Sequence, residues 1–451
     1  RLRKTITTIV ATAILLAGWQ LFAVIANQPE LIPSLPRLVR TLCEWLVSGS
    51  FYQSVGATIL RGVLGMSISF VCAIGMAGLF ARFEWVYELF RPLLAIMRSI
   101  PVISFILLAL IFLNPESIPL MIAFLTMFPL LTENLTRGIL DLRPGLSIMA
   151  RQFHIRRSNV LFQIIYPQLK PFLYSGLASA AGFGWRAIIM GEVLSQCAFG
   201  IGSEMKRAQN FIAVPELLAW TIVAVFISFF FDKGISKVAD ITPKISFANE
   251  DQTIPTPTLS VLDTKDISYQ YGIQHFSHSF QKGIIYGISA PSGKGKTTLL
   301  NLIGDILLPT EGEIHPTRHF GIATIFQQPQ LLPHLTAEEN IILPLSSFLT
   351  EEKARRIAQK HLQEMEMEPF GNRYPKELSY GQQQRIAIAR ALAYPSPLLL
   401  MDEPFKGLDE ALSHRIIERI REKQMKEERI ILFTSHNPDE IRLLADEVIY
   451  L

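Results

Sequence analysis

The chain is 451 residues long, with a formal net charge of +3 and 49% hydrophobic residues, and its mean hydropathy of +0.31 is high for a soluble protein. So balanced a charge gives no basic footprint for nucleic acid, and Cys43, Cys72 and Cys197 are too scattered for a disulfide framework or a zinc site. The apolar excess falls in residues 1–240, whereas 259–451 has ordinary globular composition, so a membrane half is expected before a soluble half.

The chain opens on Arg1 rather than Met, so its beginning is expected upstream. Residues 5–26 form an apolar segment long enough to cross a bilayer at ~20 residues per span. A cleaved signal peptide ending near Val24-Ile25-Ala26 is the alternative. Further spans are expected at 55–80, 92–113, 117–136, 168–192 and 215–237. After the first span Pro33 and Pro36 break the chain, and Leu38, Leu42, Trp45 and Leu46 recur at the spacing of a short amphipathic helix.

Orientation follows from the basic residues, which are retained on the cytoplasmic side. Arg1, Arg3, Lys4, Arg82, Arg91, Arg137, Arg143, Arg151, Arg156, Arg157, Lys170, Lys233, Lys237 and Lys244 share one side if both ends are inside. The opposite loops hold Arg37, Arg40, Lys206 and Arg207. Arg61, Glu133, Arg186 and Glu192 fall at or near membrane depth, where an unpaired charge costs several kcal/mol. They are either part of a pathway or gate, or structural pairs and headgroup contacts. Arg186 and Glu192, six residues apart on one helix, do not face each other.

Residues 148–171 are polar and basic before Pro167 and Pro171 start the next span. The segment resembles the coupling loop of bacterial ABC import permeases, with Ala150 and Pro167 in place and His154 where the family has glycine. A helix accepts histidine there, but a tight turn disfavours it. Ile32-Pro33-Ser34, Arg98-Ser99-Ile100-Pro101 and Trp185 to Glu192 resemble permeases of the nitrate, sulfonate and taurine class.

Residues 241–258, rich in Pro, Thr and charge, show no periodic apolar face and are expected to be a tether reaching roughly 60 Å when stretched. Beyond it, Ala-Pro-Ser-Gly-Lys-Gly-Lys-Thr-Thr at 290–298 lies between a β-branched run and a helical pattern. In such a turn the small residues let the backbone from Ser292 through Gly293, Lys294 and Gly295 to Thr298 curl around phosphates, and the helix offers its positive end. Lys296 adds a point charge and Thr297 a hydroxyl ligand for Mg²⁺. The strict pattern asks for glycine at Ala290.

The spacing beyond this loop resembles the ABC ATPases. Leu-Ser-Tyr-Gly-Gln-Gln-Gln-Arg at 378–385 resembles their signature, with Tyr380 replacing a glycine and Ser379, Gly381 and Gln382 retained. That resemblance implies contact with the γ-phosphate of ATP held by a second copy. It also implies that Tyr271, or Tyr269, stacks on adenine, that Gln327 touches Mg²⁺ or the attacking water, and that Asp409 crosses the dimer interface. The apolar run Leu398–Met401 ends in Asp402, expected to hold Mg²⁺ through water, and Glu403, expected to deprotonate the attacking water. His436 matches the histidine that contacts the γ-phosphate. The intervals Tyr271 to Lys296 and Lys296 to Gln327 are tighter than the family's, and the chain stops soon after His436, so trimming or a missing tail is expected.

The expected architecture is an α-helical membrane domain of six spans over 1–240, a linker at 241–258 and an α/β P-loop ABC ATPase over 259–451. The resemblance implies ATP-driven uptake of a small solute by a homodimer with an external substrate-binding protein in the bacterial inner membrane. An ABC exporter half, a non-transporting signalling ATPase and an inactive ATPase are the alternatives.

Overall fold

A computed structural model describes residues 2–239, 243–252, 259–270, 272–291, 293–316 and 321–451. In chain order the first half forms α1 (Leu2–Ala26), α2 (Leu35–Trp45), α3 (Gly49–Arg82), α4 (Glu84–Ser99), α5 (Val102–Phe112), α6 (Ile118–Leu140), α7 (Pro144–Gln152), α8 (Arg157–Asn159), α9 (Tyr166–Ser195), α10 (Ile201–Asn210) and α11 (Val214–Ala239). A π-helical stretch, Val160–Ile165, joins α8 to α9 as one helix. The second half forms β1 (Val261–Tyr269), β2 (Ile273–Gln281), β3 (Ile285–Ser289), α12 (Lys296–Ile303), β4 (Glu311–His315), β5 (Ala323–Ile325), α13 (Ala337–Leu345) and α14 (Glu351–Glu364). It ends in α15 (Tyr380–Ala393), β6 (Leu398–Asp402), α16 (Glu410–Glu427), β7 (Ile430–Thr434), α17 (Pro438–Leu444) and β8 (Glu447–Tyr450).

By its contacts the chain divides into two units. One runs up to Leu142 and resumes at Gln168, and the other combines Arg143–Pro167 with Pro243–Leu451.

Among the described residues Gly49–Arg82, Pro115–Leu140, Arg157–Ser195 and Val214–Lys237 are long and apolar enough to cross a membrane. The expected span 92–113 is instead a bent pair, α4 and α5, turning through 95°. The apolar run continues through the corner, but Pro101 has no N–H to continue a helix, and Ile100 before it is extended at φ −70°, ψ 130°. On α3, Ser54, Thr58, Gly62, Gly65, Ser69, Ala73 and Ala77 recur every three or four residues and are all buried. This stripe of small side chains lets α6 approach so closely that a Cβ on Gly65 would lie 2.6 Å from that of Ala123.

Three of the four charges expected at membrane depth, Arg61, Glu133 and Glu192, are paired. Arg61 on α3 donates to Glu192 of α9 and to Glu116, each at 2.7 Å. Glu192 is fully buried and also accepts from the Thr58 hydroxyl at 2.9 Å and the Gly202 N–H at 2.9 Å. Glu133 pairs with Arg98 and, at 2.5 Å, with Arg137, while Arg186 is exposed. The amphipathic α2 packs Trp45 against Trp220, with ring centroids 4.5 Å apart.

In the second unit five parallel strands lie in the order β5-β6-β7-β3-β8, beside a small antiparallel sheet ordered β2-β1-β4. Strands β6 and β7 are buried along their whole length, as expected of parallel strands covered on both faces. Adjacent strands β6, β7 and β3 end together, so Asp402, Thr434 and the turn after Ser289 share one carboxyl edge. That edge is where open parallel sheets bind ligands.

Although 143–167 sits in sequence among the membrane helices, it packs with the soluble unit. The Gln152 amide donates to the Gly304 carbonyl at 2.5 Å and accepts from the Thr324 hydroxyl at 3.2 Å, and Arg151 donates to the Asp305 carbonyl at 2.6 Å. The segment is helical up to Gln152, and His154 then turns the chain at φ +47°. That is the left-handed conformation glycine favours, so the histidine stands in the tight turn that disfavours it.

The expected tether is corrected over its described part. Residues 243–252 lie along the soluble unit, with the Ala248 N–H on the Ser346 carbonyl, the Gln252 N–H on the Phe348 carbonyl, and Ile245 and Phe247 against its core. These two backbone hydrogen bonds and two apolar side chains dock it. The remainder of 241–258 lies outside the described residues.

Candidate functional site

The site is built where the carboxyl edge meets the turn before α12. Gly295, at φ +89°, caps that helix, and a Cβ there would lie 2.5 Å from the Gly272 carbonyl oxygen. Only glycine fits this close approach. Lys296 is buried, and its ammonium donates to the Ala290 carbonyl at 2.7 Å. Gly293 and Lys294 are exposed, and Thr298 is half-buried in the first helical turn. Tyr271 and Ser292 lie outside the described residues.

Across the sheet edge runs a line of hydrogen bonds. The Thr297 hydroxyl donates to Asp402 Oδ2 at 2.9 Å, and the Thr434 hydroxyl donates to Asp402 Oδ1 at 2.8 Å and accepts from the Glu403 N–H at 3.1 Å. Glu403 has a left-handed backbone, φ +48°, an uncommon conformation for a branched-free acid that clusters at functional turns. Its carboxylate meets His436 Nε2 at 3.0 Å, Lys406 Nζ at 3.1 Å and the Gln327 amide at 3.4 Å. Burial alone would raise the Glu403 carboxyl, but the hydrogen bonds from Lys406 and Gln327 and the charges of Lys406 and His436 outweigh it and hold it below the usual range. Glu403 is therefore ionised at neutral pH.

The expected groups Lys296, Thr297, Asp402, Glu403, Gln327 and His436 thus converge on one sheet edge. Ser379, Gly381, Gln382 and Asp409 form a neighbouring group. Ser379 caps α15 by accepting from the Gln382 N–H at 3.3 Å, while the Gln382 amide oxygen accepts from the Ser379 N–H at 2.9 Å. Asp409 caps α16 through the Leu412 N–H at 2.9 Å. Gly381 lies so near the 407 turn that a Cβ would sit 2.6 Å from the Gly407 oxygen. Two contributors escaped the sequence reading. Lys406, four residues past Asp402, carried no signal except its place just after the paired acids, and Thr434 was visible only as the end of a strand.

Thr297 and Asp402 offer hard oxygen donors of the kind Mg²⁺ takes. Among the described residues no group of three or more His, Cys, Asp or Glu could hold a metal unaided. The pair fits a cation whose other ligands are phosphate and water oxygens.

A parallel α/β sheet with a phosphate turn and paired acids at its carboxyl edge, joined to a bundle of apolar helices, defines a membrane-linked P-loop ATPase. Residues 273–406 match the ABC transporter family, and 67–232 match the family described as binding-protein-dependent transport system inner membrane component. The uncharacterized ABC transporter ATP-binding protein MJ0796 of Methanocaldococcus jannaschii is 34% identical over 201 residues, 40% of this chain and 85% of that protein. The Fe(3+) ions import ATP-binding protein FbpC of Rhizobium etli is 35% identical over 189 residues, 40% of this chain and 54% of that protein. The glucose import ATP-binding protein GlcV of Saccharolobus solfataricus is 35% identical over 185 residues, 38% of this chain and 52% of that protein. The chain therefore spans about half the length of FbpC and GlcV and most of MJ0796. It belongs to the ABC transporters, with a permease domain of the import-system type and an ABC ATPase domain fused in one polypeptide.

Proposed function

We propose that this chain is one half of an ATP-driven importer, working as a homodimer with an extracytoplasmic substrate-binding protein. In this reading both ends and the ATPase are cytoplasmic, and the membrane is the bacterial inner membrane. The observation that carries it is the line from Thr297 through Asp402 and Thr434 to Glu403 and His436, at the edge where a phosphate turn begins α12.

In this reading Lys296 and the backbone from Ser292 to Thr298 bind the phosphates of ATP. Tyr271 stacks on its adenine. Thr297 and Asp402 hold Mg²⁺, with Gln327 beside it, and the cation offsets phosphate charge. Glu403 takes the proton of the attacking water, and His436 orients Glu403 and faces the γ-phosphate. Each chain carries one phosphate turn and one signature, and Ser379 is exposed at the start of α15. A second copy would bring its Ser379, Gly381 and Gln382 to this chain's ATP, with Asp409 at the shared face. Closure of that pair would pull on 143–167, which is docked on the same unit.

For the solute we propose a small anion, on the permease resemblance to nitrate, sulfonate and taurine carriers. The related cassettes are named for iron, glucose and, in Nitrosomonas europaea, spermidine and putrescine. Cassette similarity therefore does not select a solute. The test is ATP-dependent uptake into vesicles carrying the chain and its binding protein. Replacing Glu403 by Gln should cut hydrolysis by about 100-fold or more while ATP still binds. Normal uptake by that variant refutes the assigned base.

A further inference from the structure

Tyr380 stands where the signature resemblance calls for glycine, and its side chain is not idle. The hydroxyl donates to the Gln327 carbonyl at 2.7 Å. The ring lies in the space left by Gly407, where a Cβ would come within 2.8 Å of it and where φ is +79°. One side chain therefore touches the turn of Gln327 and the 405–409 turn from the first residue of α15. The Gln327 amide in turn reaches Glu403 at 3.4 Å, a contact at the long limit of hydrogen bonding. A small displacement of the Gln327 backbone is enough to break it.

We propose that Tyr380 is a positioning residue that ties the placement of Gln327, and through it the Glu403 carboxylate, to the start of the signature helix within one chain. This rests on the proposed roles of Gln327 and Glu403. Glycine at this position leaves the Gln327 carbonyl to water and the two turns independent. With tyrosine, movement of α15 carries Gln327 along. Burial, reduced by the charge of Lys406 and reinforced by that of Glu403, keeps the phenol above its ordinary range, so it remains a donor at neutral pH.

The test uses the full chain in liposomes, with ATP hydrolysis measured against ATP concentration for the wild type, Y380F, Y380G, Q327A and the double variant Y380F/Q327A. Loss of one net hydrogen bond corresponds to a fall in kcat of roughly 3–10-fold, with KM for ATP within about 2-fold because ground-state binding is untouched. Y380G should match Y380F in kcat, and the melting temperature of Y380F should fall by no more than about 4 °C, as loss of one net hydrogen bond allows. In the Q327A background Y380F should add nothing, since the group it positions is gone. A wild-type kcat in Y380F, a loss carried by KM, a recovery in Y380G, or multiplying effects in the double variant each overturn the proposal. E403Q run alongside reads the assigned base separately, so Y380F can fail while that assignment stands, and the reverse.

Discussion

The guanidinium of Arg390 lies over the ring of Phe153, 5.4 Å from its centroid, and donates to the carbonyls of Pro329 and Gln330 at 3.0 and 2.8 Å. Phe153 follows α7, and Gln330 lies three residues beyond Gln327, so a single buried cation connects the import-type loop to the Gln327 turn. Burial lowers Arg390 to about 10, which leaves it charged at neutral pH. Phe153 is fully buried, with Tyr394 edge-on at 5.2 Å. Phe153→Ala should therefore destabilise the chain by about 3–5 kcal/mol, through lost burial and the cavity left under Arg390. Thermal unfolding of the full chain checks it, and an unchanged melting temperature would show that the cluster is not packed as described.

Glu192 has no exposed surface, and Arg61 is its cationic partner. Replacing Arg61 by Met leaves a buried carboxylate uncompensated and should cost about 3–5 kcal/mol, whereas replacing both residues by apolar ones should cost much less. Unfolding of the two variants in detergent separates these outcomes. Equal losses would mean the pair is not what holds α3 to α9.

Burial, together with the nearby charges of Lys423, Lys360 and Arg429, lowers His361 from 6.5 to about 3, and Glu364 faces it from the same helix. Between those values the unfolded chain holds a proton that the folded chain lacks. Stability from this group is complete above 6.5 and is lost as pH falls toward 3. His361→Gln should flatten the acid dependence of unfolding, read by denaturant titration at neutral and mildly acidic pH. If the variant loses stability over this interval as steeply as the wild type, the assignment fails.

His154 pays for its left-handed turn in strain, and burial keeps its imidazole below the ordinary range. His154→Gly should stabilise the chain by up to about 1 kcal/mol through relief of that conformation. A fall in the melting temperature would instead show that the imidazole's contacts outweigh the strain.

These features divide by how local their causes are. The phosphate turn, the acids after β6 and the cap at Ser379 are legible because neighbouring residues create them. The Arg61–Glu192 pair joins positions 131 apart, and no periodicity announces it. The docking of 243–252 combines backbone hydrogen bonds with only two apolar contacts, Ile245 and Phe247, too short a pattern to register as an apolar face. The break between α4 and α5 was written in Pro101, but hydropathy continues across it and hides the corner. The reach of Tyr380 toward Gln327 could not be read from a signature in which that position is normally bare.

The 95° corner at Pro101 also bears on how the chain meets lipid. Eleven residues of α5 extend only about 17 Å, well short of a bilayer core. The both-ends-inside arrangement proposed above counts α4 and α5 as one crossing, alongside α1 and the four long helices. Its elbow then lies at depth, with Ile100 half-buried and Pro101 exposed on the single chain. Acyl chains cannot solvate a helix end there. If the proposed dimer forms, burial of this elbow against the second copy or a solute path would keep it from lipid.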